Sequence, residues 1–193
     1  VSLCLFDVDD FKMYNDSRGH HAGDEALRRI AHAVHDNLHR SSDKLFRCGG
    51  DEFCVLFTSQ SPLHALRLVE RLRGAIREEM RAYSQANGEA LTVSFGVVWQ
   101  CENVVGLLTS GELYREADRM LYKAKRAGRG EIRLRVIEDA EHPRATLGRL
   151  PDHTDSASGP ANGMSGPSAK NSPYRFRGRL EDVLARHAAE HSS

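Results

Sequence analysis

The sequence has no excess of charge. Its 193 residues carry 27 Lys and Arg against 27 Asp and Glu, so no global field marks nucleic acid or an acidic membrane surface as a partner. It has no apolar run near the roughly 18 to 20 residues that a membrane-spanning helix needs. The opening stretch Val1 to Phe6 is too short for a secretory signal and runs straight into acidic residues. None of the four cysteines is spaced as C-x-x-C, which argues against a zinc or disulfide framework. Cys4, Cys48, Cys54 and Cys101 read instead as reduced, mostly packed thiols of a cytoplasmic protein. No internal repeat is present. Proline is nearly missing from the first part of the chain, where only Pro62 occurs, while Pro143, Pro151, Pro160, Pro167 and Pro173 all lie beyond Val136.

What is present suffices for one core. Hydrophobic residues make up 40% of the chain, and a mean hydropathy of −0.51 says that a sizeable part is solvated, as for one domain plus an extension. The domain is expected over residues 1–136. Beyond it, Pro, Ser, Gly, Asp and Ala cannot bury enough apolar surface to offset ordering entropy. Residues 137–193 are therefore expected to form a disordered tail, with a short terminal helix around Leu180, Val183 and Leu184. Because Val1 already stands inside a strand-like run, an upstream segment is expected to precede it, carrying any sensor or membrane anchor.

The densest chemistry lies in Arg47-Cys48-Gly49-Gly50-Asp51-Glu52-Phe53. Strand-like runs flank it, Lys44 to Arg47 and Phe53 to Phe57, and glycine tolerates the positive φ of a tight turn, so a β-hairpin is expected. Two readings of Asp51 and Glu52 are open. Turns favour Asp, and a solvated turn needs nothing more. Alternatively, glycines let a phosphate approach the backbone while a neighbouring carboxylate holds a divalent cation.

Upstream, Val1 to Val8 reads as a buried strand ending in acid. Asp9 or Asp10 is placed to cap the next helix. Asp7 follows five apolar residues in six, and a carboxylate there calls for a cation or donors. Leu27, Ile30, Ala31, Val34 and Leu38 give helical spacing from Ala22 to about Arg40, with His32, His35 and His39 on a solvated face. A helix from Pro62 to about Arg81 and a loop over Tyr83 to Glu89 precede a strand, Leu91 to Val98, in which Gly96 permits a bulge or a close approach. Ser110 is expected to cap a helix that ends at Gly128, and Glu131 to Arg135 reads as the last strand. The order is β-α-α-β-β-α-β-α-β.

Four spaced blocks share a resemblance. They are Asp7-Val8-Asp9-Asp10-Phe11-Lys12 with Asn15-Asp16, Gly19-His20 and Gly23-Asp24-Glu25; the Gly49 to Phe53 turn; Thr92-Val93-Ser94-Phe95-Gly96-Val97; and Lys125 with Arg129. Over about Val1 to Arg135 the chain resembles the GGDEF family, the diguanylate cyclases. The resemblance implies an α+β, palm-like nucleotide-cyclase fold, with a central, mostly antiparallel five-stranded sheet flanked by helices. It implies condensation of two GTP molecules into cyclic di-GMP with release of pyrophosphate, on Mg²⁺ or Mn²⁺.

Carried over residue by residue, Asp7, the Val8 carbonyl and Asp51 are the metal ligands that the resemblance implies. Asn15 and Asp24 read the guanine edge, whose donors a carboxylate accepts and an amide can serve. His20 lies between them, either shaping the base pocket or serving the helix. Gly49 and Gly50 let the substrate approach, and Lys125 and Arg129 grip the β- and γ-phosphates. Cations beside a helix C-terminus also serve as plain capping. The family usually has Asn after this arginine, where Gly130 and Glu131 stand here. The base role falls on Asp51, while Glu52 completes a second metal position or orients the hairpin.

Arg40 and Asp43, with five residues between Asp43 and Gly49, resemble the family's inhibitory clasp for the product, and Arg71 resembles its secondary contact. A surface ion pair is the plainer reading of that pair. One such domain holds one GTP, so catalysis implies a homodimer. Two other readings stay open: a catalytically silent module that senses GTP or cyclic di-GMP, and a cyclase acting on another purine triphosphate.

Overall fold

The computed structural model describes residues 1–87, 90–101 and 108–137. The tail and terminal helix expected near Leu180 lie outside the described residues. The elements are β1 (Ser2–Val8), α1 (Phe11–Arg18), α2 (His20–His35), β2 (Lys44–Gly49), β3 (Glu52–Phe57), α3 (Pro62–Asn87), β4 (Val93–Gln100), α4 (Ser110–Arg126) and β5 (Ile132–Ile137). They form a five-stranded sheet in the order β2-β3-β1-β4-β5. Every neighbouring pair is antiparallel except β4 and β5. This is the α+β architecture that the blocks imply.

The central strand explains its own sequence. All of β1 is buried, so it reads as a nearly continuous apolar run. Successive side chains point to opposite faces. Cys4, Phe6 and Val8 enter a core with Phe53, Val55, Phe95 and Val97, closed by Ile30 and Val34 of α2 and Val69, Leu72 and Ile76 of α3. Leu3 and Leu5 enter the other core with Cys54, Leu56 and Val98, closed by Leu113, Ala117 and Leu121 of α4. Phe6 stacks on Phe53 at 5.0 Å between ring centroids and tilts against Phe95 at 5.4 Å. Continuing the alternation, Asp7 falls on the α4 side. His32, His35 and His39 are exposed, and among the described residues no helix is long and apolar enough to cross a membrane.

Element ends differ from the sequence reading for local reasons. Helix α2 stops at His35 rather than near Arg40, because Asn37 Nδ2 takes the carbonyl of Ala33 at 2.9 Å and the chain tightens through Asn37 N to Val34 O at 3.0 Å. Helix α3 runs on to Asn87 through the expected loop. Tyr83 is held there by the Arg29 guanidinium, 5.0 Å from its ring, and donates its hydroxyl to Ala22 O at 3.4 Å. The cap of α4 is Thr109, one residue earlier than expected. Its Oγ1 accepts from Glu112 N while Glu112 Oε2 accepts from Thr109 N, a reciprocal capping box. Strand β5 continues to Ile137, paired with Gln100.

Gly96 makes a close approach. A Cβ there would collide with the backbone of Ala117 and Leu121 in α4, so only hydrogen lets α4 lie this near to β4. Gly96→Ala should push the helix away and lower unfolding stability by about 1–3 kcal/mol or more, read as a drop in the urea midpoint. An unchanged midpoint would mean that α4 can retreat at no cost.

Candidate active site

Acid collects where β1 ends beside the β2–β3 turn. Asp7 stands opposite Glu52 on one neighbour and Ser94 on the other. Val8 N reaches Asp51 O at 3.4 Å, which brings the turn against the strand end. Burial pushes the Asp7 carboxyl up to about 6, and the charges of Asp51 and Glu52 push the same way. The opposing influence is Lys125 from the last turn of α4, whose Nζ sits 2.7 Å from Asp7 Oδ1. It offsets the rise only in part.

The turn itself is built to stay open. Gly50 has φ 44°, and a Cβ on Gly49 or Gly50 would meet nothing within 4 Å. Both glycines are exposed, which leaves room for a ligand to approach the turn. Arg47 clasps the turn from below, donating Nε and Nη2 to Gly50 O at 2.8 and 2.6 Å with its guanidinium 5.9 Å from the Phe53 ring centre. A bulge between Arg47 and Gly49 makes Cys48 the extra residue and leaves it exposed. The clasp by Arg47 was not read from sequence, although its place just before two glycines is a usable signal.

Neither Asp9 nor Asp10 caps α1. Asp10 occupies the cap position with φ 53° and makes no side-chain cap bond; its Oδ1 pairs with Arg129 Nη2 at 3.1 Å. Asp9 is buried and turned the other way, accepting from Thr92 Oγ1, Ser94 Oγ and Gly130 N at 2.7, 2.7 and 2.9 Å. Lys125 and Arg129 therefore both rest on carboxylates of the β1 end. Arg129 (φ 63°) sits between Gly128 (φ 126°) and Gly130 (φ 61°). Three consecutive left-handed residues make a tight loop in which Arg129 carries backbone strain.

Beyond the acid, Asn15 of α1 lies over Gly23 of α2, where a Cβ would strike its amide. Asp24 and His20 are exposed nearby in sequence on α2. Around Arg40, Asp43 and Arg71, at the far end of the hairpin, a second set of charges gathers. Arg40 Nη1 donates to Thr58 O and Arg71 Nη2 to Asn37 O, both at 2.9 Å. Burial raises the Asp43 carboxyl, opposed by Arg40 and Arg71. A cavity of about 310 Å³ opens beside Arg40, between Ser59, Trp99 and Cys101. Among the described residues, two buried side-chain oxygens lack a hydrogen-bond partner, Asn15 Oδ1 and Asp43 Oδ1, one in each of these places. A buried acceptor without a donor carries a desolvation cost, which an ordered water or a ligand donor would offset.

The model of the diguanylate cyclase GGDEF domain matches residues 1–131. The chain belongs to the GGDEF family. It is 42% identical over 134 residues to the diguanylate cyclase DosC of Escherichia coli strain K12, covering 69% of this chain and 28% of that protein. The chain thus spans under a third of the length of this curated relative. The structure is similar to that of the diguanylate cyclase SiaD of Pseudomonas aeruginosa, solved with its activator SiaC, at 32% identity and a TM-score of 0.60 over 69% of this chain and 49% of that one. It is also similar to the GGDEF domain of DgcB from Caulobacter crescentus, solved with c-di-GMP, at 28% identity and a TM-score of 0.59 over 69% and 76%.

The donor set of this GGDEF domain fits a hard divalent cation. Mg²⁺ takes one or two carboxylates and completes its shell with water and substrate oxygens, which Asp7 and the adjoining Asp51 can provide for. Among the described residues, no three His, Cys, Asp or Glu side chains converge into a protein-only cage.

The raised Asp7 has a sign that can be checked. The folded chain holds its proton up to about pH 6, while the unfolded chain releases it in the ordinary aspartate range. Between those limits the folded state binds more protons, so this group makes stability fall as pH rises. In metal-free buffer, Asp7→Asn should remove that slope and be the more stable protein at pH 7.5, by about 1–3 kcal/mol. Urea melts at pH 4.5 and 7.5 measure it, and a destabilised Asn variant at pH 7.5 would mean that Lys125 outweighs burial.

Proposed function

We propose that this chain is the catalytic domain of a diguanylate cyclase, joining two GTP molecules into cyclic di-GMP. The observation that carries the reading is the carboxylate end of β1, where the buried Asp7 stands opposite Glu52 and beside the Asp51 turn, with the Lys125 ammonium 2.7 Å from its Oδ1. An acid cluster this poorly neutralised suits a site that receives cations and a triphosphate.

Asn15 and Asp24 bind the guanine edge, with the unpartnered Asn15 Oδ1 accepting from a ring or exocyclic N–H. His20 borders that pocket. The open Gly49-Gly50 backbone meets the phosphates. Lys125 and Arg129 leave Asp7 and Asp10 for the β- and γ-phosphate oxygens, with which they form charge-assisted bonds. Asp7, the Val8 carbonyl and Asp51 would hold Mg²⁺ or Mn²⁺, which would supply Lewis-acid stabilisation of charge at the α-phosphate. A 3′-hydroxyl of one GTP attacks the α-phosphorus of the other, its proton passing to a carboxylate of the turn, Asp51 or Glu52. The bond to the β-phosphate breaks, and pyrophosphate leaves. The same step in the opposite direction closes the ring.

Each domain holds one GTP, so the reacting pair is a homodimer whose two sites face each other. At the other end of the hairpin, Arg40, Asp43 and Arg71 form an inhibitory site for the product, in which the unpartnered Asp43 Oδ1 takes a guanine donor and the guanidiniums take N7, O6 or phosphate.

Incubation with GTP and Mg²⁺ should yield cyclic di-GMP and two equivalents of pyrophosphate. Asp51→Asn should lower kcat by roughly a hundredfold or more; full activity in that variant sinks the metal assignment. Arg40→Ala should leave turnover intact and relieve inhibition by added product. GTP binding with no turnover would assign the domain to sensing instead.

A further inference from the structure

Asp9 is the one acid of the β1 end that touches none of the groups assigned above to metal, base or phosphate. Its place in the fold is unusual. The carboxylate is buried, with 5% of the residue exposed. Both oxygens are engaged: Oδ1 accepts from Ser94 Oγ, and Oδ2 from Thr92 Oγ1 and Gly130 N. Its backbone N–H donates to Thr92 O at 2.8 Å. A side chain two residues after Asp7 thus reaches across 121 positions of sequence to the amide that follows Arg129.

That amide matters because of what the loop must do. Gly128, Arg129 and Gly130 are all left-handed, a conformation that a non-glycine residue adopts only where its surroundings impose it. The Gly130 peptide unit is gripped on both sides. Its N–H goes to Asp9, and its carbonyl accepts from Arg73 Nη1 at 3.3 Å. Of these two holds, the Asp9 bond is the shorter, at 2.9 Å.

We infer that Asp9 is a positioning residue for the triphosphate, fixing through the Gly130 N–H the left-handed loop that presents Arg129 beside the end of β1. This rests on the nucleotide reading above. The role needs an acceptor, not a charge. Asn at this position still offers Oδ1 to Gly130 N, and its NH₂ can donate to Ser94 Oγ, whose hydroxyl rotates to accept. Ala offers neither.

The test uses the full chain with GTP and Mg²⁺. Asp9→Ala should raise KM for GTP by roughly tenfold or more, with a smaller change in kcat. Asp9→Asn should restore KM to within about threefold of the parent. In an Arg129→Ala background, Asp9→Ala should add little, because the two act through one contact. Ser94→Ala, which removes a bond on the other oxygen, should lower the melting temperature without raising KM. Independent effects of Asp9→Ala and Arg129→Ala overturn the inference, as does an Asn variant that folds but behaves like Ala. Should Asp9→Ala not fold, Asp9→Asn in the two backgrounds decides alone. Amide exchange at Gly130, read without nucleotide, should speed up in Asp9→Ala and stay slow in Asp9→Asn; equal protection in both overturns the clamp. A parent protein that binds no GTP while the exchange result holds overturns the nucleotide reading rather than the clamp.

Discussion

The ion pair between Asp7 and Lys125 is the interaction on which the rest of the site depends. It joins the last turn of α4 to the end of the central strand. The carboxylate is nearly buried, and its own neighbours, Asp51 and Glu52, disfavour its charge. An ammonium at 2.7 Å is therefore the least that this strand end requires. Geometry follows from that requirement. For Lys125 to reach Asp7, α4 must lie close to β4, and Gly96 permits the approach by having no side chain. The capping box at Thr109 and Glu112 then sets where the helix starts. A glycine, a cap and a lysine distant in sequence serve one contact.

Much of this was readable because the signals are local. The alternation of β1, the Gly49-Gly50 turn and the helical spacing of Leu27 to Val34 each depend on residues a few positions apart, and the structure has them as strand, hairpin and helix. The placement of Asp7 beside the turn followed from the block pattern. The roles of Asp9 and Asp10 did not. As residues before a helix they look alike, and capping is the ordinary expectation for both. What separates them are Thr92, Ser94, Arg129 and Gly130, partners more than eighty residues away that no local pattern contains. The end of α3 escaped for the same reason, since Tyr83 is kept helical by Arg29 and Ala22.

The two unpartnered oxygens tell a related story. Asn15 and Asp43 each stood out in the sequence as carriers of the family pattern, yet sequence could not show whether their polar atoms would be satisfied internally. Asn15 Oδ1 and Asp43 Oδ1 are both buried and without a donor. Keeping such acceptors carries a desolvation cost in the free state, which a nucleobase would offset if the proposed sites hold.

The β2–β3 hairpin links these places and also keeps them apart. Its turn carries Asp51, while its open end, where Arg40 meets Thr58, lies a full strand away. Six residues of β2 at about 3.4 Å each give a span on the order of 20 Å. If the proposed sites hold, a dinucleotide at Arg40 and Asp43 would lie too far off to crowd a triphosphate at Gly49 and Gly50. In the proposed reading the hairpin would then be a spacer, and control from its open end would act through the placement of whole bodies, not through competition for one pocket.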